Sequence, residues 1–187
     1  MHPLTDVAPA RDVARRLLGT TSSRWQHSVG VVGAADAASS VVRREDANLL
    51  VAAAWLHDVG YSPEIDCTGF HPLDGARYLR GLGAPPRLCA LVAHHSAAVV
   101  EAEVRGLADV LEAEFSADRS FVSDVLTYAD MTTGPFGQRV TVDERLGEIL
   151  ERYPASHPVH EAISIASPRI IAAVESVQVR LAAGQPR

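Results

Sequence analysis

Apolar residues recur along most of the chain every three or four positions, the spacing that places them on one face of an α-helix. Prolines, glycines and hydroxyl residues stand where such helices would begin and end. Together these signals predict helices over residues 6–18, 24–43, 46–58, 71–82, 85–95, 120–131, 141–152 and 158–183, with two short helices within 96–114 on either side of Gly106.

The second predicted helix illustrates how the buried face is assigned. The residues that recur near helical spacing and are expected to form its buried stripe are Trp25, Val29 and Val32, followed by the small Ala35 and Ser39. His27 lies two residues from Trp25, so it is expected beside this stripe and not squarely within it.

Particular residues lead to three further expectations about where helices begin, end or bend. Gly60 is expected to end the third helix in the left-handed conformation that glycine tolerates. Thr141 and Glu144 have the spacing of a capping box at the start of the helix over 141–152. Pro168 is predicted to kink or break the last helix. The glycine- and proline-containing stretches 61–70 and 132–140 are expected to be loops that build the walls of any substrate pocket.

Composition supports a helical interpretation. Hydrophobic residues make up 47% of the 187 residues and aromatic residues only 5%, so the core is expected to be aliphatic. Alanine and leucine are strong helix formers. We therefore predict an all-α protein of about eight to ten helices in a single domain over 1–187. Its metal-binding core would be 24–131 and its C-terminal helical completion 141–187.

Charge, lysine content and cysteine content exclude several classes of function. The net charge of −6 disfavours nonspecific binding to nucleic acid or to a membrane surface. All 17 basic residues are arginines, so no mechanism that uses a lysine Schiff base is possible. Cys67 and Cys89 are too few for a disulfide scaffold and are expected to be free thiols. No signal-peptide pattern or membrane-length apolar run is recognised, so a cytoplasmic location is expected.

The stretch WLHDVG holds the most informative pair, His57 and Asp58, at the end of the apolar run 49–54. A buried carboxylate without a partner is very costly, and a metal ion is one partner that would offset this cost. Other histidines and acids lie at or near predicted helix ends, where side chains can converge on one point. The candidate ligands are His27, His57, Asp58, His71, His94, His95 and Asp130.

This order of residues resembles the HD-domain superfamily of metal-dependent phosphohydrolases. The resemblance rests on His27 in RWQHSVGV, His57-Asp58 in LHDVG and Asp130 in TYADMTTG. It extends from about Arg24 to Asp130. The additional histidines resemble those of family members that hold two metals, namely His71 in GFHPLDGARYL and His94-His95 in VAHHS.

The resemblance implies a role for each candidate ligand. One metal would be held by His27, His57, Asp58 and Asp130, and a second by Asp58, His71, His94 and His95. Asp58 would bridge two divalent transition-metal ions (Fe, Mn, Co, Ni or Zn) and act as the catalytic carboxylate, next to a metal-activated water that attacks phosphorus.

Adjacent His94 and His95 present a geometric difficulty. Neighbouring side chains on a regular helix point about 100° apart, so both reach one cluster only if the helix ends there. Otherwise one would bind metal and the other would contact phosphate.

The implied function is hydrolysis of a phosphomonoester or phosphodiester, with a nucleotide or dinucleotide as the expected small phosphorylated substrate. Arg24 and Arg77 are the candidate ligands for the substrate phosphate, although each could equally be part of a solvated helix face. Two alternatives stay open: a mixed-valent di-iron oxygenase that uses the same ligands, and a non-catalytic ligand-binding or regulatory domain. The remaining histidines are expected at the surface: His2, His157 and His160.

Overall fold

The computed structural model describes residues 3–184, and within this range it is built from α-helices joined by short 3₁₀ turns and loops. No strand is present in this range beyond an isolated bridge between Thr133 and Arg139, and the all-α prediction is confirmed. The helices are α1 Val7–Leu18, α2 Ser23–Ala37, α3 Ala47–Leu56, α4 His71–Gly81, α5 Pro86–His94, α6 Ala98–Val104, α7 Ala108–Glu114, α8 Phe121–Met131, α9 Val142–Arg152 and α10 Pro158–Ala183. His2 lies outside the described residues.

Helix α3 is the centre of the core. Every residue from Leu49 to Leu56 is buried, as expected for a helix that is apolar on all sides. It packs against α1, α2, α5 and α8. The residues that follow it, His57 and Asp58, are therefore held deep within the protein.

The termini of several helices follow from their capping residues. The hydroxyl of Ser22 accepts a hydrogen bond from the backbone N–H of Trp25 at the start of α2. Thr141 and Glu144 form the predicted capping box at the start of α9. The division of residues 96–114 into two helices is also confirmed, with Gly106 at a positive φ of 70°.

Helix α2 differs from its prediction in length and in its buried face. It ends at Ala37 and not near Arg43, and Val29 is 45% exposed. The prediction was wrong for Val29 and right for Ala35, which is buried. The face that packs inward instead combines small residues with a histidine: His27, Ser28, Val31, Ala34 and Ala35.

Gly60 is required for a reason other than the one predicted. Its φ is not positive, so it is not in the left-handed conformation. It lies in the 3₁₀ turn Val59–Tyr61. A Cβ atom on Gly60 would lie 1.9 Å from the carbonyl oxygen of His71 and 2.8 Å from the backbone nitrogen of Gly75. Glycine is therefore needed because the turn after Asp58 packs directly against the backbone of α4.

Helix α10 is a single helix of 26 residues through Pro168, so the predicted break is wrong. It packs against α6, α8 and α9. Among the described helices, α10 is long and apolar enough to cross a membrane by length and composition. An 18-residue stretch of this helix has a mean hydropathy of 1.2, and 28% of that stretch is buried. The helix is not an uninterrupted apolar run, because it contains four charged residues: Glu161, Arg169, Glu175 and Arg180. Its buried residues form one stripe: Ala162, Ala166, Ile170, Val174 and Val177.

Candidate metal centre

Six of the seven predicted ligands converge at one place in the core, and each comes from a helix or from the end of one. His27 lies within α2 and Asp130 in the last turn of α8. His57 and Asp58 follow α3 directly, and His71 begins α4. His95 follows the last residue of α5. They form two groups whose ligand atoms lie within 4.8 Å of one another, His27–His57–Asp130 and Asp58–His71–His95.

The first group is almost wholly enclosed. Nε2 of His27 lies 2.9 Å from Oδ1 of Asp130, and Nε2 of His57 lies 3.9 Å from the same oxygen. His57 has no exposed surface and His27 only 2%. Two imidazole nitrogens and a carboxylate oxygen therefore face one another out of contact with bulk water.

The second group is arranged around Oδ1 of Asp58. This oxygen lies 3.4 Å from Nε2 of His71 and 3.9 Å from Nε2 of His95. It also lies 3.5 Å from Nε2 of His57, so Asp58 stands between the two groups. Its other oxygen, Oδ2, accepts a hydrogen bond of 3.1 Å from Nη1 of Arg24.

Three of the imidazoles are oriented by backbone carbonyl groups. Nδ1–H of His27, of His57 and of His95 donates to the carbonyl oxygens of Gly134, Ala54 and Val92, at 3.0, 2.8 and 2.7 Å. In His57 and His95 this bond leaves Nε2 as the lone-pair nitrogen that points into the centre, which is the usual arrangement of a metal-ligating histidine. Nε2 of His27 faces Oδ1 of Asp130 instead.

The structure gives one direct indication that a ligand belongs at this place. Nε2 of His57 is buried and has no hydrogen-bond partner. A buried polar atom without a partner is costly. A metal ion would satisfy Nε2, and neutral imidazole together with carboxylate suits divalent transition metals. The residues present therefore fit the implied metals.

Electrostatics favour the protonation states that metal ligands require. Burial alone would raise the pKa of Asp58, but His57, Arg24 and other nearby groups hold it well below its usual range. The pKa of Asp130 is likewise held low, mainly by its hydrogen bond with His27 against the effect of burial. Both carboxyl groups are therefore ionised.

The histidines divide by environment. Burial lowers the pKa of His57 and lowers that of His71 still further. For His27, burial also acts to lower the pKa, but the hydrogen bond with Asp130 outweighs it and the pKa is raised. Two of the histidines are thus neutral at physiological pH, the form in which imidazole binds a metal.

The turn after α5 separates the two adjacent histidines. Helix α5 ends at His94, and Ser96 and Ala97 then adopt left-handed conformations with φ of 48° and 61°. Such conformations are uncommon for residues other than glycine, so the surrounding structure must hold this turn in place. The hydroxyl of Ser96 donates to Oδ2 of Asp130, which ties the turn to the first group.

The structure does not bring His94 to the cluster. Its Nε2–H donates to the carbonyl oxygen of Phe115 at 2.6 Å, and its ring lines a separate cleft beside α7 and α8. Helix α5 ends at His94, which is the condition under which both histidines could have reached one cluster. The chain turns sharply after His94, however, and only His95 is directed inward. Neither predicted role of His94, metal ligand or phosphate contact, is met by this position.

The two candidate arginines also separate. Arg24 lines the pocket above the cluster, where it contacts Asp58 and stacks its guanidinium 3.6 Å from the centroid of the Tyr61 ring. Arg77 instead forms an ion pair with Glu114 and has no place in that pocket. The prediction that Arg77 contacts the substrate phosphate is not met, because Glu114 on α7 binds its guanidinium.

Tyr61 is a residue of the site that sequence reasoning missed. Its ring stacks on that of His71 with centroids 3.9 Å apart, and Arg24 lies on the ring as well. Tyr61 thus connects Arg24 and His71, which approach different oxygens of Asp58. An aromatic residue three positions after Asp58 was the available signal.

The pocket wall contains a second group that sequence reasoning missed. Helices α9 and α10 supply it, whereas no residue of the loop 132–140 lines the pocket. That loop instead orients His27 through the carbonyl of Gly134. The signal for the wall was a charged residue, Arg145, within the apolar stripe of α9. The wall residues are Arg145, Ile149, Arg152, Tyr153, Val159 and Ile163.

Histidines outside the predicted set occupy caps and turns. His157 caps α10 by accepting a hydrogen bond from the backbone N–H of Val159. His160 donates from Nδ1 to the carbonyl oxygen of Tyr153 at 2.9 Å. Both are partly buried, because each bonds to backbone groups at the junction between α9 and α10.

The fold and the site together define a helical domain that gathers histidines and aspartates from helix ends into one buried cluster. Comparison with protein-family models gives a match to the HD domain over residues 24–120, which is just over half of the chain. The chain therefore belongs to the HD domain family. This domain defines a superfamily of the metal-dependent phosphohydrolase type. No curated protein and no solved structure matches the chain. The matched stretch ends before Asp130, so the placement of that residue in the cluster comes from the fold.

Proposed function

We propose that the protein is a dinuclear metal-dependent phosphohydrolase. Its substrate would be a small phosphomonoester or phosphodiester, of the nucleotide or dinucleotide class. The observation that carries the proposal is the pair of adjoining His/Asp groups, with the buried Nε2 of His57 unpartnered and Asp58 between them.

The chain's residues divide between two ions in this proposal. His27, His57 and Asp130 would hold one, and His71 and His95 the other, with Asp58 shared between them. When bound, such ions lower the pKa of a coordinated water and neutralise charge on phosphoryl oxygens.

Residues around the ligands keep them in place. Arg24 holds Asp58 through Oδ2 and leaves Oδ1 facing three imidazoles. Ser96 orients Asp130 by donating to Oδ2. The wall from α9 and α10 lines the pocket with apolar and charged side chains. Where a bound substrate displaces water from this wall, each electrostatic contact with the anion is strengthened.

The experiment is a turnover assay with the purified full chain. A panel of nucleotides and simple phosphate esters is incubated with protein loaded with Mn²⁺, Fe²⁺, Co²⁺ or Ni²⁺, and released phosphate is measured. We expect turnover by the wild type and its loss in Asp58→Asn. The control is Asp124→Asn, which alters a half-buried acid of α8 outside the cluster.

The outcomes separate the alternatives. No turnover by metal-loaded wild type, or full turnover by Asp58→Asn, contradicts the proposal. Tightly bound iron with oxygen-dependent loss of substrate would instead favour the oxygenase. A metal-free protein whose stability is unchanged by His57→Ala would favour the non-catalytic domain.

A further inference from the structure

Arg145 stands out among the arginines of the described residues because it alone is buried, with 5% of its surface exposed. It lies on α9, outside the stretch that matches the family model. It lines the same pocket as His27, Asp58 and Asp130. A buried guanidinium is costly unless its charge and its donors are matched.

The partners of Arg145 within the protein do not meet this requirement. Its Nη1 donates to Oε2 of Glu148 at 2.5 Å, but its Nε is buried and has no hydrogen-bond partner. Glu148 is also shared, because its other oxygen accepts from Arg152. One carboxylate thus serves two guanidinium groups, and this cluster on α9 has a net positive charge at the pocket wall.

The acids of the metal centre act on Arg145 only at longer range. The charge of Arg145 helps to lower the pKa of Asp130, but no ion pair joins Arg145 to Asp58 or Asp130 among the described residues. If divalent ions occupy the centre, they add positive charge to the same pocket and make the buried guanidinium less favourable. An anion bound between them would offset both charges.

The free edge of the guanidinium suits such an anion. Glu148 binds Nη1, whereas Nε on the other edge has no hydrogen-bond partner. An edge formed by Nε and Nη2 can donate two parallel hydrogen bonds to a phosphate. The cavity measures about 80 Å³, well below the roughly 300–1,000 Å³ of sites that enclose a drug-sized ligand. It therefore has room for the phosphate group, and the rest of a nucleotide would extend outside it.

We propose that Arg145 binds the phosphoryl oxygens of the substrate, with Arg152 adding positive charge at the rim and Glu148 positioning both. This inference rests on the proposed phosphohydrolase function. In this inference helix α9, which carries no known functional motif, binds the phosphate group of the substrate.

The test measures binding and does not require turnover. Inorganic phosphate is titrated into Mn²⁺-loaded full-length protein by calorimetry, and metal content is measured for every variant. We expect Arg145→Gln to bind phosphate about 10- to 100-fold more weakly with its metal content unchanged, because hydrogen bonds to charged groups are lost. The matched control is Arg77→Gln, which removes an arginine paired with a glutamate away from the pocket and should bind phosphate as the wild type does.

Wild-type phosphate affinity in folded Arg145→Gln, or no phosphate binding by the metal-loaded wild type, would overturn the inference. If Arg145→Gln is unfolded by circular dichroism, Arg145→Lys replaces it. Lysine keeps the charge beside Glu148 but lacks the planar edge, so at least about threefold weaker binding is expected and wild-type affinity would again overturn the inference. Phosphate binding that depends on Arg145, in a protein without turnover, would contradict the proposed function alone.

Discussion

The close approach at Gly60 provides the sharpest test of how the fold builds the second metal group. Replacing Gly60 with alanine would place a Cβ atom 1.9 Å from the carbonyl oxygen of His71. Ordinary van der Waals contact begins near 3.4 Å, so the two segments must separate by about 1.5 Å. Both colliding partners are backbone, and no side-chain rotation can relieve the clash.

The magnitude follows from this displacement. Inserting an atom into a well-packed interior typically costs about 1–3 kcal/mol, and a clash with backbone should reach about 3 kcal/mol or more. Metal–ligand distances tolerate only about 0.2 Å. Because His71 begins the displaced helix, Gly60→Ala should also lose the metal held by Asp58, His71 and His95.

The assay is urea unfolding followed by circular dichroism, together with metal analysis of the folded protein. The control is Gly33→Ala on α2, where a Cβ would meet nothing within 4 Å. Alanine in that helix should raise stability by about 0.5–1 kcal/mol. A Gly60→Ala protein with wild-type stability and wild-type metal content would refute the reasoning.

Three further predictions concern stability. Thr141→Ala should lower the free energy of unfolding by about 1 kcal/mol, because it removes the capping box with Glu144; no change in urea unfolding would contradict this. Pro168→Ala should raise that free energy by about 1–3 kcal/mol, because an exposed proline inside α10 lacks a backbone donor, and a less stable variant would show that the proline is required. The hydrogen bond from Arg87 lowers the folded pKa of Asp46. This contribution is present above the unfolded pKa near 3.9 and is lost as the pH falls through the folded pKa. Asp46→Asn should therefore flatten the acid side of the stability–pH curve, and an unchanged curve would contradict the pairing.

Much of the helical architecture could be predicted because the residues that start and end a helix act on the backbone close to their own position. Gly19 after α1, Pro86 at the start of α5 and the capping box of α9 each restrict the backbone within one turn. The buried face of α2 could not be predicted in the same way. Its inward side holds His27 and small residues, and this choice depends on what the neighbouring helices bring to the centre.

The candidate ligands show the same difference between what local sequence predicts and what depends on the packing of the fold. Their residue types and order in the chain indicated the cluster, and the structure brings six of the seven together. The exception, His94, depends on the left-handed turn at Ser96 and Ala97, which no local preference of serine or alanine predicts. Arg145 was missed because its importance lies in the pocket it reaches and not in any motif around it.

The most direct test of the central claim is the number of metal ions bound per chain, measured by elemental analysis of the full-length protein after loading with Mn²⁺. The two-group arrangement predicts two ions in the wild type and about one in His27→Ala or in His95→Ala. His94→Ala should retain both, because that ring is bonded to Phe115 away from the cluster. A wild type without bound metal, or a single ion that is unaffected by His95→Ala, would contradict the dinuclear centre.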